Sequence, residues 1–293
     1  MSTAGSDLTE LNKHGEVLAV IDGLLVEAGQ RLLRYFHKAE ISVKGEAFDL
    51  VTNADYDSEN FLKAEILAYF PNHTFFAEES FATTPDLLDD YCWMIDPLDG
   101  TVNFATGVPL FSISIALLYQ GSPLLGWVYD PAHQEMFYAR RGGGAFFNGQ
   151  RLTAANLAPT SLPIGASSGL LNWSLGSKQS QLLQTLLEKH GKFRILGSQA
   201  LHLAYVAAGR LQAALNWESK VWDDAAGALI VREAGGSYSD FWGRDIFPLT
   251  IDSPLLEGRS IHSLAAPPDI YSNILGLLVE ANATDEVDRV KGV

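Results

Sequence analysis

The stretch from Trp93 to Thr101 reads Trp-Met-Ile-Asp-Pro-Leu-Asp-Gly-Thr and places two carboxylates directly after an apolar run. The apolar run predicts a buried strand that ends at Ile95, and the proline and the glycine predict a sharp turn behind it. In such a turn Asp96 and Asp99 can converge on one point, with the Leu98 carbonyl between them. Carboxylate and carbonyl oxygens are the hard ligands that Mg²⁺ prefers. This stretch therefore predicts a magnesium site at the end of a buried strand.

Two further acidic positions support the metal site against a simpler interpretation, since an Asp-Pro-x-Asp-Gly run alone is more often an exposed turn. Glu78 and Glu79 follow the apolar strand predicted at Thr74–Ala77. Asp223 begins a helix predicted to extend to Glu233, where the plain alternative is a helix N-cap. Both roles are compatible, because a helix N-terminus favours a nearby anion.

From about Lys44 to Gly236, a region that includes these acidic stretches, the sequence resembles the inositol monophosphatase family. The matching segments are Asp49–Asp55, Ala77–Ser80, Trp93–Phe104 and Trp222–Gly236. The Asp-Pro-Leu-Asp-Gly-Thr run is diagnostic of the superfamily, and the Val-Asn-Phe that follows it resembles the inositol monophosphatase branch. The resemblance implies a layered αβαβα sandwich, an α+β / α/β fold shared with fructose-1,6-bisphosphatase, and a homodimer.

The resemblance also implies up to three Mg²⁺ ions per active site. By this resemblance, Glu78, Asp96 and the Leu98 carbonyl hold the first ion. Asp96, Asp99 and Asp223 hold the second, and Glu79 lies beside a third, weaker ion through water. Ions in such a site would cancel the repulsion between carboxylates. Lithium, by the same resemblance, occupies the second position and inhibits.

The catalytic residues that the resemblance implies are Glu78, Thr101 and Asp55. Asp55 orients Thr101, and Thr101 and Glu78 help to deprotonate a metal-activated water that attacks the phosphorus. The residues expected to bind substrate are Asp99, Gly100, Thr101, Gly197, Ser198, Gln199, Asn216 and Asp223.

The substrate side departs from the inositol-specific pattern at two positions. Members specific for inositol usually carry a glutamate seven residues before the metal-binding Asp223, where this chain has Asn216, and Glu218 lies nearby but out of register. Gln199 is larger than the small residue expected there. The substrate expected is inositol 1-phosphate or a similar sugar or polyol phosphate, with fructose 1,6-bisphosphate and histidinol phosphate as alternatives. An alternative of another class is a non-catalytic regulatory protein with the same fold.

Composition limits the partners and the compartment. The net charge of −15, from 20 basic and 35 acidic residues, argues against binding nucleic acid or an anionic membrane. Cys92 is the only cysteine, the N-terminus shows no signal pattern, and the apolar runs are too short to span a bilayer. These features predict a cytoplasmic protein, and the resemblance implies a small phosphate ester as its partner.

The chain of 293 residues predicts a single domain with two lobes, an α+β lobe at about 1–152 and an α/β lobe at about 153–283. Periodicity predicts one long helix or two helices at 8–38, and single helices at 55–69, 178–190, 198–208 and 223–233. It predicts strands at 74–77, 91–95, 111–118, 124–129, 135–139, 145–147, 163–168, 193–196, 211–217 and 237–240. The charged residues 284–293 are expected to form a frayed end.

Overall fold

The structure is a computed structural model that describes residues 7–44, 50–80, 91–153, 162–171, 178–190 and 192–291. The described α-helices are α1 Asp7–Tyr35, α2 Asn53–Tyr69, α3 Thr101–Thr106, α4 Lys178–His190, α5 Gln199–Ala207, α6 Val221–Glu233 and α7 Pro268–Lys291. Among them, none is long and apolar enough to cross a membrane.

The described strands form one hairpin and two larger sheets. Their bounds are β1 Ile41–Val43, β2 Leu50–Thr52, β3 Thr74–Ala77, β4 Tyr91–Asp99, β5 Ser112–Tyr119, β6 Ser122–Asp130, β7 Glu135–Arg140, β8 Gly144–Phe147, β9 Gln150–Arg151, β10 Ile164–Ala166, β11 Phe193–Arg194, β12 Ala213–Ser219, β13 Ser237–Asp240 and β14 Ile261–Ala266. β1 pairs with β2, the larger sheet runs β3-β4-β5-β6-β7-β8-β9, and the smaller runs β11-β10-β12-β14-β13.

The two faces of the larger sheet are buried under different helices, because successive side chains of a strand point to opposite faces. On β4, Trp93 and Ile95 pack in the core that also contains Ile21 of α1 and Leu62 of α2. The intervening Met94 packs in another core, with Leu203 of α5 and with α6. Both faces of β4 are therefore apolar, and its end is carried into the interior of the protein.

The smaller sheet covers the other side of α5 and α6. Ala214 and Ala265 of this sheet share a core with those two helices, whereas Leu215 and Leu264 pack with Leu186 of α4 and with α7. The layers are α1/α2, larger sheet, α5/α6, smaller sheet and α4/α7. The predicted αβαβα sandwich is confirmed. The single domain with a lobe boundary near residue 153 stays a prediction, since α5 and α6 follow that boundary and yet pack on the larger sheet.

Strand β4 is longer than the sequence predicts. It continues past Ile95 to Asp99, with Asp96 opposite Ser114 and Asp99 opposite Ser112, and the register shifts between these two pairs. The predicted turn is thus an irregularity within a paired strand, which accommodates the proline that cannot donate to the ladder.

Several other bounds differ from the predictions. Helix α6 begins at Val221 rather than at Asp223, and β11 ends at Arg194 rather than at residue 196. Helices α3 and α7 and strand β14 were not predicted. Helix α7 extends to Lys291, and the frayed end expected at 284–293 stays a prediction.

Gly126 of β6 allows α6 to lie directly on the larger sheet. A methyl group at this position would lie 2.9 Å from the Cα of Ala226 and 3.1 Å from its carbonyl oxygen. Replacing Gly126 with alanine should therefore lower the free energy of unfolding by about 1–3 kcal/mol, because the helix backbone must move away. Urea denaturation would measure the change.

The control for this prediction is Gly23→Ala in the exposed face of α1, where nothing lies within 4 Å of the added methyl group. Here alanine should raise stability by up to about 1 kcal/mol, because it favours the helix. Equal effects of the two substitutions would contradict the close contact between α6 and the sheet.

Candidate active site

The start of α2 orients Asp55 towards Thr101. Thr52 caps the helix, and its N–H and hydroxyl both donate to the Asp55 Oδ2, at 2.7 and 2.6 Å. The other carboxylate oxygen, Oδ1, accepts the hydroxyl of Thr101 at 3.1 Å. Burial, its largest influence, raises the pKa of Asp55 to about 6. The expected contact between Asp55 and Thr101 is thus present.

The end of β4 carries Asp96 and a carbonyl that bonds Thr101. The Asp96 Oδ1 accepts the N–H of Leu98 at 2.9 Å, and the Thr101 hydroxyl lies 3.0 Å from the Leu98 carbonyl oxygen. One proton serves the Thr101 hydroxyl, so it donates either to Asp55 or to Leu98.

Asp99 is the last residue of β4, and its side chain lies at the N-terminus of α5. Its Oδ2 accepts the Ser198 hydroxyl at 2.6 Å and the N–H of Ala200 at 2.7 Å. Burial raises the pKa of Asp99 to about 6, and these hydrogen bonds oppose the rise. Ser198, predicted to bind substrate, is also the N-cap of α5 and accepts the N–H of Leu201.

Asp223 occupies the third position of α6, where its carboxylate accepts the N–H of Lys220 at 2.8 Å. It is therefore not the N-cap but the acidic residue of the first helical turn. Burial, followed by the charges of Asp99 and Glu78, raises its pKa well above the usual value.

Lys44, for which the sequence alone predicts no role, lies between Glu78 and Glu79. Its ammonium group is 2.9 Å from the Glu78 carboxylate and also forms an ion pair with Glu79. Burial raises the pKa of Glu79 to about 7, while the bond to Lys44 lowers it and the Glu78 charge raises it. Lys44 was missed because it lies 34 residues before Glu78 in an unremarkable stretch, and only the fold brings them together.

Four of the predicted carboxylates form what we call the carboxylate cluster: Glu78, Asp96, Asp99 and Asp223. Burial, and then the charges of the other three members, raise the pKa of Asp96 well above its usual value. Negative charge is thus concentrated without full compensation. Among the described residues, however, no three His, Cys, Asp or Glu side chains are already gathered closely enough to hold a metal ion.

A cavity of about 440 Å³ opens beside the carboxylate cluster. Six of the predicted substrate-binding residues line it, namely Asp99, Gly197, Ser198, Gln199, Asn216 and Asp223, whereas Gly100 and Thr101 do not. Gly100 has a φ of 98°, and a methyl group on it would lie 3.0 Å from the Leu110 carbonyl oxygen. Backbone atoms therefore fill the space that a side chain at Gly100 would occupy.

Other residues that shape the cavity were not predicted. Asn103 donates to the carbonyls of Leu110 and Leu196, at 2.7 and 2.6 Å, and so holds the loop before α5 against α3. His202 lines the cavity, and burial lowers its pKa to about 4. Asp49, part of one matching segment, lies outside the described residues.

Comparison with known proteins gives the same family as the sequence. The model of the inositol monophosphatase family matches residues 14–280. The chain belongs to the inositol monophosphatase family, a family of phosphoric monoester hydrolases. A fructose-1,6-bisphosphatase/inositol-1-monophosphatase of Thermotoga maritima is 37% identical over 76% of this chain and 84% of its own length.

Another relative carries a different kind of name. The Nus factor SuhB of Pasteurella multocida is 42% identical over 78% of this chain and 81% of its own length. Among solved structures, an IMPase of Thermotoga maritima superposes with a TM-score of 0.77 at 31% identity, covering 92% of this chain and 99% of its own.

The carboxylate cluster should destabilise the metal-free protein, and Asp96→Asn should relieve this cost. The variant keeps the acceptor for Leu98 and removes a charge, so it should raise the free energy of unfolding at pH 8 by about 1.4 kcal/mol for each unit by which burial raises the pKa. The gain should shrink as the pH falls, because folded wild type then binds the proton that cancels the charge. Urea denaturation in EDTA would measure it.

The control is Asp252→Asn, the same substitution at an exposed position, which should change little at either pH. If Asp96→Asn destabilised the metal-free protein at pH 8, the cluster would not be the electrostatic cost described here.

Lys44 should compete with a divalent cation for Glu78 and Glu79. Lys44→Met should therefore bind Mg²⁺ about tenfold more tightly, equivalent to 1.4 kcal/mol, as measured by calorimetry. Lys63→Met is the control, since Lys63 approaches Glu59 instead, at 3.9 Å. Weaker Mg²⁺ binding by the Lys44 variant alone would contradict the competition.

Proposed function

We propose that this chain is a Mg²⁺-dependent phosphatase that hydrolyses inositol 1-phosphate or a similar sugar or polyol phosphate. The observation that carries the proposal is the carboxylate cluster at the end of β4, which lies beside a cavity large enough for a small phosphate ester. Burial raises the pKa values of Asp96, Asp99 and Asp223, and a bound cation would offset their charge. An acidic protein also needs a local positive charge to bind an anionic substrate.

The donor set fits magnesium. Glu78, Asp96 and the Leu98 carbonyl would hold one ion, Asp96, Asp99 and Asp223 a second, and Glu79 would lie beside a third. All of these donors are oxygens, which is what Mg²⁺ requires. The ions would supply positive charge that lowers the pKa of a water and stabilises the negative charge on the leaving group.

The protein's own groups would position the water and take its proton. The Glu78 carboxylate would accept the proton, while the Thr101 hydroxyl, which donates to Asp55, would accept the hydrogen bond that aligns the water. The water oxygen bonds to phosphorus as the ester P–O bond breaks, and the departing alkoxide takes up a proton from solvent. The raised pKa of Asp55, about 6, leaves its oriented carboxylate mostly ionised at neutral pH.

The relatives' names support two other candidates. The Thermotoga maritima relative is named for fructose-1,6-bisphosphatase activity as well, so a bisphosphate is the first alternative substrate, with histidinol phosphate as another on this scaffold. The Pasteurella multocida relative is named as a Nus factor, which supports a regulatory, non-catalytic role as the candidate of another class. All the carboxylates expected to bind metal are present, together with Thr101, and this favours an enzyme over a non-catalytic protein.

Three further features are part of the proposal: a homodimer, inhibition by lithium at the second metal position and a cytoplasmic location.

The decisive experiment measures phosphate release from a panel of esters with Mg²⁺ or with EDTA. The panel contains inositol 1-phosphate, fructose 1,6-bisphosphate, histidinol phosphate and p-nitrophenyl phosphate. Wild type should require Mg²⁺, and Glu78→Gln, which keeps the shape and removes the base, should lose activity by about 10²–10⁴-fold.

The matched control is Glu257→Gln, at an exposed carboxylate whose partner is Arg259, and it should retain full activity. A Glu78→Gln enzyme as active as wild type would disprove the mechanism. A folded wild type that released no phosphate from any ester would instead favour the regulatory role.

A further inference from the structure

A second cavity, of about 250 Å³, lies at the C-terminal end of α6. Among the described residues, its lining shares none with the cavity beside the carboxylate cluster. Helix α6 contributes Asp223 to that first cavity and its last two turns to the second one. The second cavity is smaller than the roughly 300–1,000 Å³ of sites for drug-sized ligands, so it would hold a small molecule.

Hydrogen bonds fix the loop that forms one wall of the second cavity. Glu233 of α6 accepts the N–H groups of Gly142 and Gly144, at 2.7 and 2.8 Å, with one carboxylate oxygen for each. The backbone N–H of Arg141 donates to the Leu124 carbonyl at 2.9 Å. The loop between β7 and β8 is therefore held on α6, and this wall is already formed in the absence of a ligand.

The start of β6 and the segment around Phe247 supply apolar surface to the same cavity. Pro123, Leu229 and the buried Phe247 line it. The N–H of Leu249 donates to the Gly121 carbonyl at 2.9 Å and so holds the segment against the turn before β6. Surface of this kind favours a ligand with an apolar part, because binding removes both from water.

Two arginine side chains also line the second cavity. Arg141 is exposed, and its guanidinium makes no hydrogen bond or ion pair with any residue in the described part of the chain. Arg232 donates to the Tyr238 carbonyl at 2.9 Å and forms an exposed ion pair with Asp245, which contributes little to stability. Two guanidinium groups beside one small space repel each other, and an anion between them would offset both charges.

Glu233 is the only acidic side chain in the described lining, and its charge is already partly compensated. Both of its oxygens accept N–H groups of the loop, as a bound anion would. The lining therefore keeps positive charge, in a protein whose 35 acidic residues outnumber 20 basic ones. The described lining of the cavity beside the carboxylate cluster has the opposite character, since it contains no lysine or arginine.

We propose that the second cavity is a binding site for a small organic anion. The carboxylate or phosphate group of the ligand lies between Arg141 and Arg232, and its apolar part packs against Phe247. A guanidinium group suits this role because its planar set of N–H donors matches two oxygens of either anion. The site is independent of the proposed phosphatase function, because none of the four carboxylates of the cluster takes part in it.

The experiment titrates the whole chain with benzoate, in Mg²⁺ and about 0.15 M salt, and follows the backbone amide signals by NMR. The amides of Gly142, Gly144 and Leu229 report on the second cavity, whereas those of Ser198 and Ala200 report on the active site. Benzoate should shift the first set in a saturable way, with a Kd of about 1 mM or lower.

Three variants test the role of Arg141. Arg141→Gln should weaken benzoate binding about tenfold, because it removes the charge. Arg141→Lys keeps the charge but loses the planar donors, so it should weaken binding less. The matched control is Arg259→Gln, at an exposed arginine outside the described lining, and it should leave the Kd unchanged. Both arginines are exposed, and the amide spectrum of each variant verifies its fold.

Two further probes separate the charge from the apolar contact. Benzyl alcohol carries the ring without the charge, and inorganic phosphate carries charge without the ring. Each should bind to the second cavity at least about tenfold more weakly than benzoate. Equal affinity of benzoate and either probe overturns the proposal.

The proposal is equally wrong if benzoate causes no saturable shift at Gly142, Gly144 and Leu229, or shifts only Ser198 and Ala200. An Arg141→Gln variant that binds benzoate like wild type also overturns it, since Arg141 is then only a hydrated surface residue. None of these results bears on Mg²⁺-dependent hydrolysis of phosphate esters, so the proposed function stands or fails by its own experiment.

Discussion

The structure depends on the burial of mutually repelling carboxylates where β4, α5 and α6 meet. Taking Asp96, Asp99 and Asp223 out of water raises their pKa values, and the charges of neighbouring carboxylates, Glu78 among them, raise these values further. Such a cluster is costly in a folded protein unless other groups offset the cost. The surrounding fold supplies part of that compensation, and a divalent cation would supply the rest.

Helix N-termini provide much of the protein's own compensation. Asp55 lies in the first turn of α2, Asp223 in the first turn of α6, and Asp99 accepts the N–H of Ala200 in the first turn of α5. The partial positive charge of a helix N-terminus stabilises a carboxylate there. Lys44 adds a full positive charge beside Glu78 and Glu79. The N-termini of three helices from distant parts of the chain therefore point towards the same group of carboxylates.

Long periodic segments were predictable because their side chains face a core on one side or both. The strands β5 to β8 and the helices α4 and α5 follow from this pattern to within a few residues. The six-residue α3 and the two-residue β11 were missed or misjudged, since segments that short have too little periodicity to read. The sequence predicts that β4 ends at Ile95, because a proline normally interrupts strand pairing. In the structure the register shift between Asp96 and Asp99 allows the pairing to continue past Pro97.

The sequence by itself determined the apolar faces, the acidic residues at the ends of elements and, through the Asp-Pro-Leu-Asp-Gly-Thr run, the family. These are local properties, since each depends on residue types at short spacing. Only the tertiary structure decided that Lys44 pairs with Glu78 and Glu79, that Arg141 lines a cavity at the end of α6, and that Glu233 binds the loop beside it. Such contacts arise when separate layers pack together, and the distance between two side chains across layers is not encoded in their separation along the chain.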